Sequence, residues 1–157
     1  MSREFPPALA KRVQDIASRY PAPQAALLPV LHLVQRETGF LSAGDEREVA
    51  RLLGIAPIKV REVVTFYTMF TRRPLGRFHI QVCSNLSCSL AGGEPLLEHL
   101  RAKLGIKPGE TTPDGKFTLT EVECLGACEQ APCMMVNFDY YGNLDAEKID
   151  RILKDLT

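Results

Sequence analysis

The sequence predicts an α+β chain, with a bundle of short helices over residues 1–75 followed by a mixed α/β unit over residues 76–157. Three observations predict it. Apolar residues recur at helical spacing through the first half, the second half opens on strand-like alternation, and all five cysteines lie in that second half, at 83, 88, 124, 128 and 133. The change falls near Arg72-Arg73-Pro74-Leu75-Gly76, where Pro and Gly interrupt both patterns.

The helical half is justified element by element. Pro6-Pro7 start a helix with Leu9, Val13, Ile16 and Ala17 on one face, ended by Tyr20-Pro21. Pro23 opens a second, carrying Leu27, Leu31 and Val34 and stopping at Gly39, and Pro29 predicts that this helix is kinked or begins late. Ser42 is an N-cap for a third that ends near Leu53-Gly54, and Pro57 suits the first turn of a fourth through Val60, Val63, Val64 and Tyr67.

In the second half, Phe78 to Val82 alternates like a strand and delivers Cys83 at its end. Gly92-Gly93 precede a helix with Leu97, Leu100 and Leu104 on one face. Pro113-Asp114-Gly115 reads as a turn, and Phe117 to Val122 as a strand running towards Cys124. Met134 to Phe138 and Tyr141 to Leu144 read as a hairpin around Tyr140 to Asn143, and Asp145 starts a closing helix with Ile149, Ile152, Leu153 and Leu156. A unit of about 80 residues in this order is small for a Rossmann domain and the right size for a thioredoxin-like one.

The 157 residues, 45% hydrophobic and 24% charged, suit one domain or two small ones and exclude a disordered or collagenous chain. Uninterrupted apolar runs such as Ala25 to Leu28 fall far short of the roughly 20 residues a membrane span needs. The start, MSREFPPALAKR, has neither a signal-peptide core nor an acid-free transit-peptide character, so the chain is expected in the bacterial cytoplasm. Lys+Arg and Asp+Glu both number 19, so the formal net charge is zero. The halves differ: residues 1–75 hold 11 basic and 7 acidic side chains, a net of +4, and residues 76–157 a net of −4. Such a split suits docking surfaces of opposite sign, or simply solvated faces.

Cys83 and Cys88 form C-x4-C, Cys124 and Cys128 form C-x3-C, and each pair follows a predicted strand. Two strand ends of one sheet can therefore gather four sulfurs. An iron–sulfur cluster needs thiolates on loops that wrap an inorganic core, and Gly126-Ala127 leave room for backbone N–H groups to approach its sulfides. The competing readings are a structural zinc site, whose usual C-x2-C turns are absent, and free buried cysteines. Disulfides fit neither the expected compartment nor the odd count, and a thioredoxin-type dithiol wants C-x-x-C.

The segments TFYTMF (Thr65 to Phe70), VCSNLSC (Val82 to Cys88) and VECLGACEQAP (Val122 to Pro132), with Met135-Val136-Asn137, resemble the E-subunit family of NADH-quinone oxidoreductase (respiratory complex I), the thioredoxin-like [2Fe-2S] ferredoxins. The resemblance spans nearly the whole chain. It implies a helical bundle followed by a thioredoxin-like domain, and one [2Fe-2S] cluster ligated by Cys83, Cys88, Cys124 and Cys128. It further implies an electron-transfer subunit on the cytoplasmic side of the inner membrane, beside an NADH-oxidising flavoprotein that holds FMN and NADH, among other peripheral-arm subunits. An NAD-linked hydrogenase or formate dehydrogenase is an alternative home, and a zinc adaptor without redox role an alternative function. Cys133 departs from the pattern and reads as a small buried residue at a strand start.

Other motifs carry less. Val49 to Val60 has a helix-turn-helix layout, but Val60, Val63 and Val64 offer little to read base edges and the pI is near 6.8, so bundle packing is favoured over nucleic-acid binding. His32, His79 and His99 lie outside the cysteine loops, which disfavours Rieske ligation. No Walker A or G-x-G-x-x-G segment occurs, so neither NADH nor flavin is expected in this chain. Phe66-Tyr67-x-x-Phe70 with Arg72-Arg73 is a candidate contact for the flavoprotein, because aromatics and Arg are enriched at interface cores.

Overall fold

Proline placement sets the helix starts of the first half in the computed structural model, which describes residues 4–156. Pro7 stands at the first turn of α1 (Pro7–Ala17), where its missing N–H has no partner to lose. Pro23 opens only a 3₁₀ turn, Pro23–Ala26, and α2 (Leu27–Thr38) begins after it. Pro29 thereby falls in the first turn of α2, so the late start accommodates the ring and no kink is needed. Ser42 and Asp45 exchange hydrogen bonds as a capping box at the head of α3 (Ala43–Leu53), and Gly54 ends it at φ 64°, which a glycine adopts without steric cost. Pro57 opens α4 (Pro57–Phe66). Met1 to Arg3, the start of the segment read above for targeting, lie outside the described residues.

The chain divides into two compact units, Met1–Pro74 and Leu75–Thr157. In the first, one apolar core includes Val13, Val30, Leu31, Val34, Leu41, Val49 and Val60. Val60 and Val64 of α4 point into this core, and Arg61 is bonded to Glu46 of α3, so the helix-turn-helix-like segment spends its second helix on packing. Glu46 is 3% exposed and accepts from both Arg61 and Arg72. Replacing both arginines by Ala strands a buried carboxylate. The expected loss is about 3–5 kcal/mol, read as a lower urea midpoint for the full chain; an unchanged midpoint would show that Glu46 needs neither cation.

The second unit is a four-stranded sheet of order β2-β1-β3-β4. Its strands are β1 (Phe78–Cys83), β2 (Phe117–Val122), β3 (Met134–Val136) and β4 (Asp139–Tyr141). Strands β1 and β2 pair in parallel, Phe78 opposite Phe117 through Cys83 opposite Val122, while β3 runs antiparallel to both β1 and β4. A short helix α5 (Leu86–Leu90) and the longer α6 (Gly93–Leu104) make the crossover between β1 and β2. Leu96, Leu97 and Leu100 of α6 join Ile80, Val82, Leu119 and Met134 in one core, which Ile149 of α7 (Ala146–Asp155) completes. Asp145 caps α7 through the Lys148 N–H.

The hairpin differs from its expectation. Its turn is Asn137-Phe138, with Asn137 at φ 55°, a left-handed conformation that Asn tolerates better than most residues. The Asn137 Oδ1 accepts from the His79 N–H at 2.9 Å, which ties the turn to β1. Tyr140 and Tyr141 are therefore strand residues, and the segment at Gly142-Asn143 leads out of the sheet. The short α5 leaves no mark in the sequence pattern, since five residues show too little periodicity.

Candidate metal centre

Sheet direction assembles the site. Because β1 and β2 are parallel, their C-terminal ends share one edge, and the loops that follow them carry Cys83–Cys88 and Cys124–Cys128. Because β3 is antiparallel to β1, its N-terminal end lies at that same edge, and this brings in Cys133. The Cys83 N–H donates to the Cys133 carbonyl at 3.2 Å and the Ser84 N–H to the Val122 carbonyl at 3.0 Å, so the first cysteine sits between both neighbouring strands. In the Cys83–Cys88 loop, α5 turns Cys88 inward and leaves Leu86 and Leu90 exposed.

The sulfurs of Cys83, Cys88 and Cys133 all lie within 4.8 Å of one another, with Cys88 and Cys133 at 3.7 Å. All three are buried, packed with Ala127 and partly buried Leu125 and Ala131. Cys124 and Cys128 are exposed on the adjoining loop. The structure thus brings Cys83 and Cys88 together, adds the unassigned Cys133, and holds Cys124 and Cys128 at the rim. Predicting the Cys133 approach needs the strand order, which spacing does not carry.

Backbone donors face these sulfurs. The Gly126 N–H donates to Cys124 Sγ at 3.2 Å, and Gly126 reaches this pose at φ 71°, the left-handed region that favours glycine. Burial pushes the Cys83 thiol up, yet the Asn85 N–H, the Cys88 thiol and the Leu125 N–H outweigh it, leaving Cys83 below the ordinary thiol value. Cys88 is raised, by burial and then by donation to Cys83. Burial first, then the neighbouring Cys88, pushes Cys133 up to about 12. With no metal bound, a thiol so disposed stays protonated at neutral pH, whereas Cys83 is biased towards the thiolate.

Two further contacts fix the loops. The Tyr140 hydroxyl donates to the Leu125 carbonyl at 3.0 Å, anchoring the second cysteine loop to β4. Gly93, at the head of α6, meets the first loop so closely that a Cβ there would stand 2.8 Å from the Cys88 carbonyl oxygen. The sequence pattern marks Gly93 only as preceding a helix, whereas it is the first residue of α6. Its role follows from the approach of α6 to Cys88, which no local pattern reports.

The donor set fits an iron–sulfur cluster on its chemistry: soft thiolates, backbone N–H groups aimed at sulfur, and an apolar wall of Leu125, Ala127 and Ala131. Fold and site together define a small α+β protein with thiols gathered at one sheet edge, a donor set of the iron–sulfur class. A family profile described as thioredoxin-like [2Fe-2S] ferredoxin matches residues 13–157, and the chain belongs to that family. The second E subunit of NADH-quinone oxidoreductase from Rhizobium meliloti (strain 1021) is 51% identical over 146 residues, covering 93% of this chain and 87% of that protein. The mitochondrial NADH dehydrogenase [ubiquinone] flavoprotein 2 of Dictyostelium discoideum is 43% identical over 148 residues, 92% of this chain and 60% of its own length. Among solved structures, an air-oxidized NAD+-reducing [NiFe]-hydrogenase chain superposes with a TM-score of 0.71 at 28% identity, over 83% of this chain and 22% of that one. None of the described helices is long and apolar enough to cross a membrane.

Proposed function

We propose that this chain is the electron-transfer E subunit of an NADH-quinone oxidoreductase, with one [2Fe-2S] cluster held by Cys83, Cys88, Cys124 and Cys128. The single observation that carries the reading is the parallel β1–β2 pair, which places both cysteine loops at one edge. Identity of 51% to a protein named as an E subunit of that complex supports the choice of complex.

When bound, the cluster supplies a centre that takes and releases one electron at a time. The chain's own residues do the rest. Cys83 and Cys88 offer thiolates from the buried side, and Cys124 and Cys128 from the exposed side. The N–H groups of Asn85 and Leu125 at Cys83 and of Gly126 at Cys124 favour negative charge on sulfur, a lever that raises a reduction potential. Leu125, Ala127 and Ala131 pack apolar surface against the inner cysteines.

FMN and NADH belong in the partner, an NADH/flavin-binding subunit, within a hetero-oligomer on the cytoplasmic side of the inner membrane. Arg72 is committed to buried Glu46, so reversing its charge would damage the helical unit before it tested an interface. Phe70 is buried as well, whereas Phe66 is 77% exposed and is the better probe. Phe66→Ala should weaken recovery of the flavin-binding subunit on co-purification while leaving the chain's own thermal midpoint in place; equal recovery would remove Phe66 from the interface. The reading as a whole is tested by adding NADH anaerobically to the co-expressed pair. The expected result is a [2Fe-2S] paramagnetic signal; a stable pair whose cluster stays oxidised would count against it. The hydrogenase likeness supports a second home, a [2Fe-2S] subunit of an NAD-linked hydrogenase, but at 28% identity it ranks below the first.

A further inference from the structure

The cluster reading leaves Cys133 without a task, yet Cys133 is 2% exposed and its sulfur lies 3.7 Å from that of Cys88. We propose that before cluster insertion the chain binds one Cu(I) ion through Cys83, Cys88 and Cys133.

Three thiolates about 2.3 Å from a central ion, in one plane with it, stand about 4 Å apart. The three sulfurs here lie within 4.8 Å of one another, with one pair already at 3.7 Å, so side-chain rotations complete the ring. Neither a carboxylate nor an imidazole joins this group among the described residues, which argues against ions that take oxygen ligands. Zinc is almost always four-coordinate in structural sites, and the remaining thiols, Cys124 and Cys128, are exposed on the other loop and stand outside the group. A soft monovalent ion content with three thiolates is Cu(I).

The surroundings suit such an ion. Ala127, Leu125 and Ala131 pack apolar surface against the three thiols, and the Glu123 carbonyl oxygen stands 3.8 Å from Cys83 Sγ, beyond ligand distance. Amide N–H groups of Asn85 and Leu125 offset the negative charge gathered at Cys83. Each thiol gives up its proton on ligation, and no electron is transferred. Occupancy consumes Cys83 and Cys88, so copper and the cluster exclude one another, and the thiol at position 133 makes the unloaded chain a copper trap.

The test is an anaerobic titration of the metal-free full chain with Cu(I) against a competing chelator, bathocuproine disulfonate, with copper X-ray absorption on the same sample. One copper per chain with three sulfur neighbours at about 2.3 Å is expected. Cys133→Ser should weaken binding by about 100-fold, the upper end of what losing even an outer-shell partner costs. The Cys124→Ser, Cys128→Ser double variant should bind as the wild type does. Two sulfurs on copper, or Cys133→Ser affinity equal to wild type, overturns the proposal. The sulfur count is read on the wild type, so it decides even where a variant fails to fold. A wild type that takes Cu(I) but never a [2Fe-2S] cluster would sink the proposed function and leave this inference standing.

Discussion

Cys83→Ala is expected to abolish the cluster: iron and acid-labile sulfide should fall from about two each per chain to near zero, and the reduced sample should lose its paramagnetic signal. No single change is expected to have a larger effect, because Cys83 has no substitute on its strand. It closes an inner strand of the sheet, hydrogen-bonded at its own N–H to Cys133 and through Ser84 to Val122, and the Asn85 and Leu125 N–H groups near its sulfur favour the thiolate. A displaced thiol elsewhere would have neither the position nor those donors. Cys124→Ala is expected to act the same way, by removing the thiolate that Gly126 supports. Cys133→Ser is the contrast, and should leave iron, sulfide and signal nearly unchanged. Loss of the cluster in Cys133→Ser together with its retention in Cys124→Ala would reassign the ligands.

Gly93→Ala is expected to impair the site without touching a thiol. An added Cβ would lie 2.8 Å from the Cys88 carbonyl oxygen and 3.1 Å from its carbon, and both are backbone atoms that cannot rotate away. Either α6 retreats from the sheet, loosening Leu97 and Leu100, or the Cys83–Cys88 loop moves and carries the Cys88 sulfur with it. Overpacking of this kind costs about 1–3 kcal/mol. A lower thermal midpoint and a broadened or shifted signal in the reconstituted protein are the expected results. A variant with the wild-type midpoint and spectrum would show that the loop yields freely. Gly92→Ala makes a poor control, since Gly92 sits at φ 93°, where any side chain is strained.

Much of the architecture is legible in residues with strong local preferences. Pro7, Pro23 and Pro57 mark helix or turn starts, Ser42 and Asp145 mark helix heads, and Gly39 and Gly54 mark ends. The alternation in Phe78 to Val82 and Phe117 to Val122 locates the two strands that carry the site. Family likeness, read from VECLGACEQAP and VCSNLSC, supplied the cofactor class that spacing alone left open against zinc.

What was not legible depends on contacts distant in sequence. Tyr-Gly-Asn looks like a turn on composition, whereas the hairpin turns at Asn137, which a bond from the His79 N–H ties to β1. Burial of Glu46 between α3 and two arginines joins positions 46, 61 and 72, so Arg72 read as an interface residue. Cys133 reaches Cys88 only because β3 returns antiparallel beside β1, and a one-dimensional spacing cannot express that.

The most direct test of the central claim is metal and sulfide analysis with electron paramagnetic resonance on the anaerobically purified full chain, reduced with dithionite. A coloured protein with about two irons and two sulfides per chain and an S = 1/2 signal on one-electron reduction is expected. A colourless protein that contains zinc in place of iron, lacks sulfide and gives no signal would contradict it.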